Sequence, residues 1–218
     1  MSEAPRLHLL TDDRILARED FVEVAEAILE RGGARMALHL RGPRTSGRDL
    51  WARGRALSSV TAESGASLRV NDRVDLALAL GADGVHLGAR SLPPGVVRAL
   101  AGETLRIGRS VHGIDEVVSL ENASHLEALD YLMVGTLFPT PSHPDREGGG
   151  PERLARIRER TSLPLVGVGG ITPERVAALA TALPGMRRWG IALIRGVWEA
   201  ASPPDALERY LEALEMTA

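Results

Sequence analysis

The chain has 218 residues, 44% of them hydrophobic but only 3% aromatic, with no cysteine and a formal net charge of −3. The missing cysteines exclude disulfides, thiolate nucleophiles and Cys-based metal sites. A pI of about 6.1 gives no electrostatic basis for nucleic-acid binding, and no apolar run approaches the ~18 residues of a membrane span. The opening stretch MSEAPRLHLLTDD lacks the basic-then-apolar pattern of a signal peptide, so the expectation is a cytoplasmic protein without nucleic-acid or membrane partners.

In chain order, short apolar runs alternate with segments of helical period. RLHLLTD (6–12) reads as a strand, and residues 18–33 as a helix with Phe21, Val24, Ala25, Ile28 and Leu29 on one face, stopped by Gly32-Gly33. RMALHLRG (35–42) is a second strand before a helix near 46–64, SLRVND (67–72) a third before a helix at 73–80, and DGVHLGA (83–89) a fourth before a helix opened by Pro93-Pro94. LRIGRSVH (105–112) is a fifth, followed by a helix at about 114–123. YLMVGTLF (131–138) is a sixth, with a long glycine-rich loop and then a helix at 151–161. PLVGVGG (164–170) is a seventh, with a helix from 172 to about 182. WGIALIRG (189–196) is an eighth, with helical stretches to the end.

Eight strand–helix units in one domain predict a (β/α)₈ TIM barrel spanning residues 1–218. The strands read as apolar rather than cleanly alternating, as expected where both faces are buried. A doubly wound open sheet is disfavoured because no GxGxxG follows the first strand. In a barrel the chemistry sits at the C-terminal ends of the strands. That selects Thr11, Asp12 and Asp13 at the first strand, His39 and Arg41 at the second, Asn71 and Asp72 at the third and His86 at the fourth. Arg109, Ser110 and His112 follow at the fifth, Thr136 and Thr140 at the sixth, Gly169 and Gly170 at the seventh and Arg195 at the eighth.

Among these, GVGGIT (167–172) ends a strand and opens a helix. Glycines and helix N–H groups of this kind suit a phosphate, and a tight strand-to-helix turn is the plainer reading. Asp72 is a Mg²⁺ ligand type, but Asn71-Asp72 reads first as a cap on the next helix. His86, inside an apolar strand, reads as a buried, hydrogen-bonded histidine. In IGRSVHGIDE (107–116), His112 stands where a strand hands over to a helix, two residues after Ser110, and can transfer protons near neutral pH. His143 reads as an exposed loop residue. GxSxG and HExxH are absent, so neither a hydrolase elbow nor a zinc protease site is implied.

The blocks NDRVDLALALGADGVHLG, GRSVHGIDE, DYLMVGTLFPT and GVGGITPERV, in that order, resemble the thiamine phosphate synthase/TenI family over nearly the whole chain. The resemblance implies a TIM barrel and one of two chemistries. A synthase joins a pyrimidine diphosphate to a thiazole phosphate with Mg²⁺. A TenI-type tautomerase moves a proton to aromatise a carboxythiazole phosphate without metal. The synthase pattern Gln-x-Arg-x-Lys is here His39-Leu40-Arg41-Gly42-Pro43; Gly-Gln-x-Asp is Gly88-Ala89-Arg90-Ser91; and a loop lysine is His143. Losing one carboxylate ligand and two lysines weakens a site that must stabilise a departing diphosphate.

The resemblance therefore implies an isomerase, a thiazole tautomerase with His112 as acid/base and no cofactor. Its substrate would meet His39, Arg41, Asn71, Ser110 and Thr140, with its phosphate on Gly169, Gly170, Ile194 and Arg195. The alternatives are a synthase, a transferase with Mg²⁺ on Asp72, or a non-catalytic protein that binds thiazole or thiamine phosphate. A small thiazole phosphate is the expected partner, and a homo-oligomer is left open.

Overall fold

The computed structural model describes residues 4–140 and 148–217. Eight parallel strands close into a barrel in sequence order: β1 (Leu7–Leu10), β2 (Met36–Leu40), β3 (Ser67–Asn71), β4 (Gly84–Leu87), β5 (Arg106–Val111), β6 (Tyr131–Gly135), β7 (Leu165–Val168) and β8 (Trp189–Leu193). β1 pairs with β2 through Leu7↔Met36 and with β8 through Leu7↔Ile191, which completes the ring. The (β/α)₈ barrel expected from the alternation is the fold observed. No helix among the described residues is long and apolar enough to cross a membrane.

Helices α1 (Asp13–Leu16), α2 (Phe21–Gly32), α3 (Gly47–Ala56), α4 (Ser58–Ser64), α5 (Val74–Leu80), α6 (Pro94–Ala101), α7 (Ile114–Asn122), α8 (Gly150–Arg158), α9 (Pro173–Thr181), α10 (Arg195–Trp198) and α11 (Pro203–Glu215) cover the outside. The helix expected over 46–64 is two helices. The chain tightens at Leu57, whose N–H is shared by the Arg53 and Gly54 carbonyls at 3.3 and 3.2 Å, while its side chain is fully buried. β6 is shorter than its apolar run because Leu137 leaves the sheet yet stays in the core, 1% exposed.

The strands do alternate, although both faces are buried. One parity, such as Leu7, Leu9, Leu38, Leu40, Leu68 and Val70, faces the helices in one continuous core. The other parity faces the barrel axis. It includes a separate apolar cluster of Leu10, Tyr131, Met133, Val166 and Ala192, and a polar group described below. Outside, Trp198 is 1% exposed, stacks on Phe21 with centroids 5.7 Å apart and donates its indole N–H to the Leu10 carbonyl at 2.9 Å. This contact ties α10 to α2 and to the end of β1. Trp198→Ala is therefore expected to lower the unfolding free energy by about 3–5 kcal/mol, read from urea denaturation; a loss under about 1 kcal/mol would show the contact to be dispensable.

Candidate functional site

At the C-terminal ends of the strands lies a cavity of 1190 Å³. Of the expected site residues, Arg41, Asn71, Asp72, Ser110, His112, Thr140, Gly169, Gly170, Ile194 and Arg195 line it. His39 does not: it is fully buried one layer deeper, with Nε2 2.9 Å from His8 Nδ1 and Nδ1 3.2 Å from Asn71 Oδ1. Its inward position in mid-strand puts it beneath the cavity, where it acts on Asn71 rather than as a lining group. His143 lies outside the described residues.

The candidates after β1 serve the scaffold. The Thr11 hydroxyl donates to the Arg41 carbonyl at 2.9 Å and accepts the Arg41 N–H at 2.8 Å, joining the ends of β1 and β2. Asp12 caps α1 by accepting the N–H groups of Arg14 and Ile15. Asp13 accepts from the Arg44 N–H and the Thr45 hydroxyl; burial pushes its carboxyl up, and these bonds together outweigh burial and hold it below the usual range.

The turn after β7 runs through Gly169 at φ 99° and Gly170 at φ 62°, both in the region that favours glycine. A Cβ on Gly170 would lie 2.6 Å from the Pro139 carbonyl oxygen, so this turn packs directly on the loop after β6. Phe138 N–H donates to the Gly169 carbonyl at 3.0 Å. Arg175, from the first turn of α9, reaches back over the Phe138 ring and donates to the Gly170 carbonyl. Arg195 lines the same end of the cavity, its Nε 3.6 Å from Glu199 Oε1. Arg175 escaped the sequence reading because it lies inside a helix, not at a strand end.

Across the cavity, Asp72 does not cap α5. It sits at φ 64°, its N–H donates to the His86 carbonyl at 2.8 Å, and its Oδ1 accepts from the Gly88 N–H at 3.0 Å and from the Ser91 hydroxyl. The carboxylate thus braces the loop after β4. Ser91 occupies the place where the synthase pattern has its second Asp. No group of three His, Cys, Asp or Glu among the described residues is placed to hold a metal ion. These donors do not fit the two-carboxylate Mg²⁺ site that the synthase resemblance implies.

His112 follows the last residue of β5, and Glu116 stands four residues on, in the first turn of α7. Glu116 accepts the His112 backbone N–H at 3.2 Å, and its Oε1 lies 3.2 Å from His112 Nδ1. With Nδ1–H directed at the carboxylate, Nε2 is the nitrogen left for proton exchange.

Beneath the cavity the barrel axis is polar on one side. His8, His39 and His86 are at most 2% exposed, and Arg69 is 4% exposed. Burial drives the pKa values of His8 and His39 well below the ordinary value, with Arg69 adding to the effect on both. His86 is pushed down to about 3, by burial first and then by Arg69. His86 is the buried, hydrogen-bonded residue expected, with Ser110 Oγ at 2.8 Å and Tyr131 Oη at 3.0 Å. His8, Arg69 and Tyr131 were not singled out from the sequence. Their signal is strand parity, since each falls on the inward register shared by His39, Asn71, His86 and Ser110.

The sequence profile of the thiamine monophosphate synthase family matches residues 7–197. The chain belongs to this family. The thiamine-phosphate synthase of Natronomonas pharaonis is 36% identical over 215 residues, covering 97% of this chain and 96% of the relative. That of Roseiflexus sp. (strain RS-1) is 37% identical, covering 97% and 86%. Among solved structures, the thiamine phosphate pyrophosphorylase of Pyrococcus furiosus superposes with a TM-score of 0.80 at 32% identity, covering 99% of this chain and 98% of the other. A 3-hexulose-6-phosphate synthase at 15% identity and TM-score 0.65 shares the fold alone. Family membership makes the chain an enzyme of thiamine biosynthesis. The relatives' names point to the synthase reaction; none of those named here supports the isomerase expected from the residues.

The three buried histidines make a prediction for this family member. Below about pH 6.5 the unfolded chain takes up protons that the folded barrel refuses, so stability falls on acidification toward the folded pKa values. The expected slope between pH 6.5 and 5, before carboxylates titrate, approaches ~1.4 kcal/mol per pH unit for each histidine. Urea midpoints across that window check it. A flat profile would show that the histidines titrate normally.

Proposed function

We propose that this enzyme is a thiazole tautomerase acting on a carboxythiazole phosphate. The observation that carries the reading is the His112–Glu116 pair on the wall of a cavity whose other side is the Gly169-Gly170 turn. The substrate phosphate rests on Gly169, Gly170, Ile194 and Arg195, where backbone N–H groups and a guanidinium offset its charge. Arg41, Asn71, Ser110 and Thr140 border the heterocycle. His112 Nε2 accepts the proton released from one carbon as the C–H electron pair enters the ring system. The imidazolium, steadied by Glu116, then returns a proton to the second carbon. Nothing is gained or lost overall, and the histidine is regenerated. No step needs a metal, in keeping with Asp72 being tied to Ser91 and Gly88.

The second reading, a thiamine phosphate synthase, is favoured by the names of relatives 36–37% identical over almost the whole chain. One purified sample separates the two. Given the tautomer phosphate, it should aromatise it at the same rate with EDTA as with Mg²⁺, and His112→Ala should lower that rate about 10²–10⁴-fold. Mg²⁺-dependent pyrophosphate release from pyrimidine diphosphate and thiazole phosphate, with no aromatisation, would replace this proposal with the synthase.

A further inference from the structure

His86 and Ser110 line the cavity, and they are the upper end of a hydrogen-bond chain that descends into the barrel. His86 Nε2 is 2.8 Å from Ser110 Oγ, and His86 Nδ1 is 3.0 Å from Tyr131 Oη. The Arg69 guanidinium carbon lies 4.7 Å from the centroid of the Tyr131 ring. Tyr131 reaches this position by crossing Gly108, where any Cβ would strike its ring. Arg69, Tyr131 and His86 are 4%, 4% and 2% exposed, so protein groups rather than solvent decide where each proton points.

The chemistry of each member sets the direction. A guanidinium only donates, so Tyr131 Oη cannot pass its proton to Arg69 and must pass it elsewhere. The acceptor in contact is His86 Nδ1. Burial first, and then the charges of Arg69, Arg109 and Arg41 against the opposing Asp72 carboxylate, keep His86 neutral down to about pH 3. A neutral imidazole has one N–H. With Nδ1 accepting, that hydrogen is on Nε2 and is donated to Ser110 Oγ. The Ser110 oxygen is then occupied from below, and its own hydrogen is free to turn into the cavity. The reverse order, Ser110 donating to His86 and His86 to Tyr131, would bury the Tyr131 hydrogen against a cation, a larger loss than either bond returns.

We infer that Arg69, Tyr131 and His86 are positioning residues that leave the Ser110 hydroxyl hydrogen free to be donated to the ligand. The ligand atom that takes this hydrogen is an acceptor, an unprotonated ring nitrogen or a carboxylate oxygen. The ligand part of this inference rests on a thiazole phosphate entering the cavity, a substrate class shared by both readings above; the direction of the chain does not depend on it.

The test has two arms. In ligand-free protein with ¹⁵N-labelled histidine, the resonance lost in His86→Gln should be that of the Nε2–H tautomer at pH 7. The Nδ1–H tautomer there would overturn the inference whatever reaction the enzyme catalyses. In calorimetric titration with 4-methyl-5-hydroxyethylthiazole phosphate, Ser110→Ala should weaken binding about tenfold. Tyr131→Phe, which keeps the ring but frees the tautomer, should weaken it several-fold and cost nothing further when added to Ser110→Ala. Fully additive losses would leave Tyr131 as packing alone and overturn the relay. A wild-type protein that does not bind this probe would overturn the ligand assignment and count against the proposed function, while the tautomer arm still decides the direction of the chain.

Discussion

Arg69 puts a charge inside the barrel that no proton loss can remove. Its side chain is 4% exposed, and Nε and Nη1 have no hydrogen-bond partner among the described residues. A buried cation of this kind is costly unless its surroundings are arranged for it. The Tyr131 ring lies against it, and three histidines of the barrel interior stay neutral, by burial first and then because a second positive charge near Arg69 would add to the cost. Gly108 is part of the same constraint: only a residue without a side chain lets Tyr131 cross the barrel to reach Arg69 and His86.

That arrangement divides the barrel interior. From β1 to β5 the inward positions carry His8, His39, Arg69, Asn71, His86 and Ser110. From β6 onward Met133, Val166 and Ala192 close the other half. The polar half passes its hydrogen-bond order upward through Asn71 and Ser110, which like His86 also line the cavity. The apolar half gives a dry wall under the Gly169-Gly170 turn, where a phosphate charge would be held by backbone groups rather than solvent. The floor of the site is therefore a consequence of how the barrel centre is filled.

The strand–helix count was legible because each unit carries its own period and its own stop, as with Phe21 to Leu29 followed by Gly32-Gly33. The strand ends were also legible as places for chemistry, and most polar residues chosen there do line the cavity. What was not legible lies in the tertiary environment. His39 looks like a rim residue by position, but its parity turns it inward below the rim. Asp72 looks like a helix cap, but its carboxylate accepts from Gly88 and Ser91 in the loop after β4, and α5 has no side-chain cap. Arg69 and Tyr131 belong to β3 and β6, and only closure of the ring places them in contact. Leu57 carries no breaker residue, and the division of one expected helix into two at that point follows from burial of its side chain.

The end of the site proposed to transfer the proton is built differently from its floor. His112 and Glu116 belong to one five-residue segment, held by a backbone bond and a side-chain bond to the same carboxylate. This segment needs only the end of β5 and the first turn of α7, and nothing from the polar barrel centre fixes it. The turn after β7 proposed to hold the phosphate, and Ser110 with its bond to His86, can therefore persist while the groups around them change, as where Ser91 stands in place of a second Asp beside Asp72. One barrel can carry either a proton transfer or a diphosphate displacement on this plan, because the parts that bind a phosphate ester and the parts that make or break bonds are anchored to different strands. Sequence similarity spread over the whole chain reports the first set. The local segment after β5 and the carboxylates after β3 and β4 report the second, which is why relatives sharing a third of their residues with this chain identify the family without fixing the reaction.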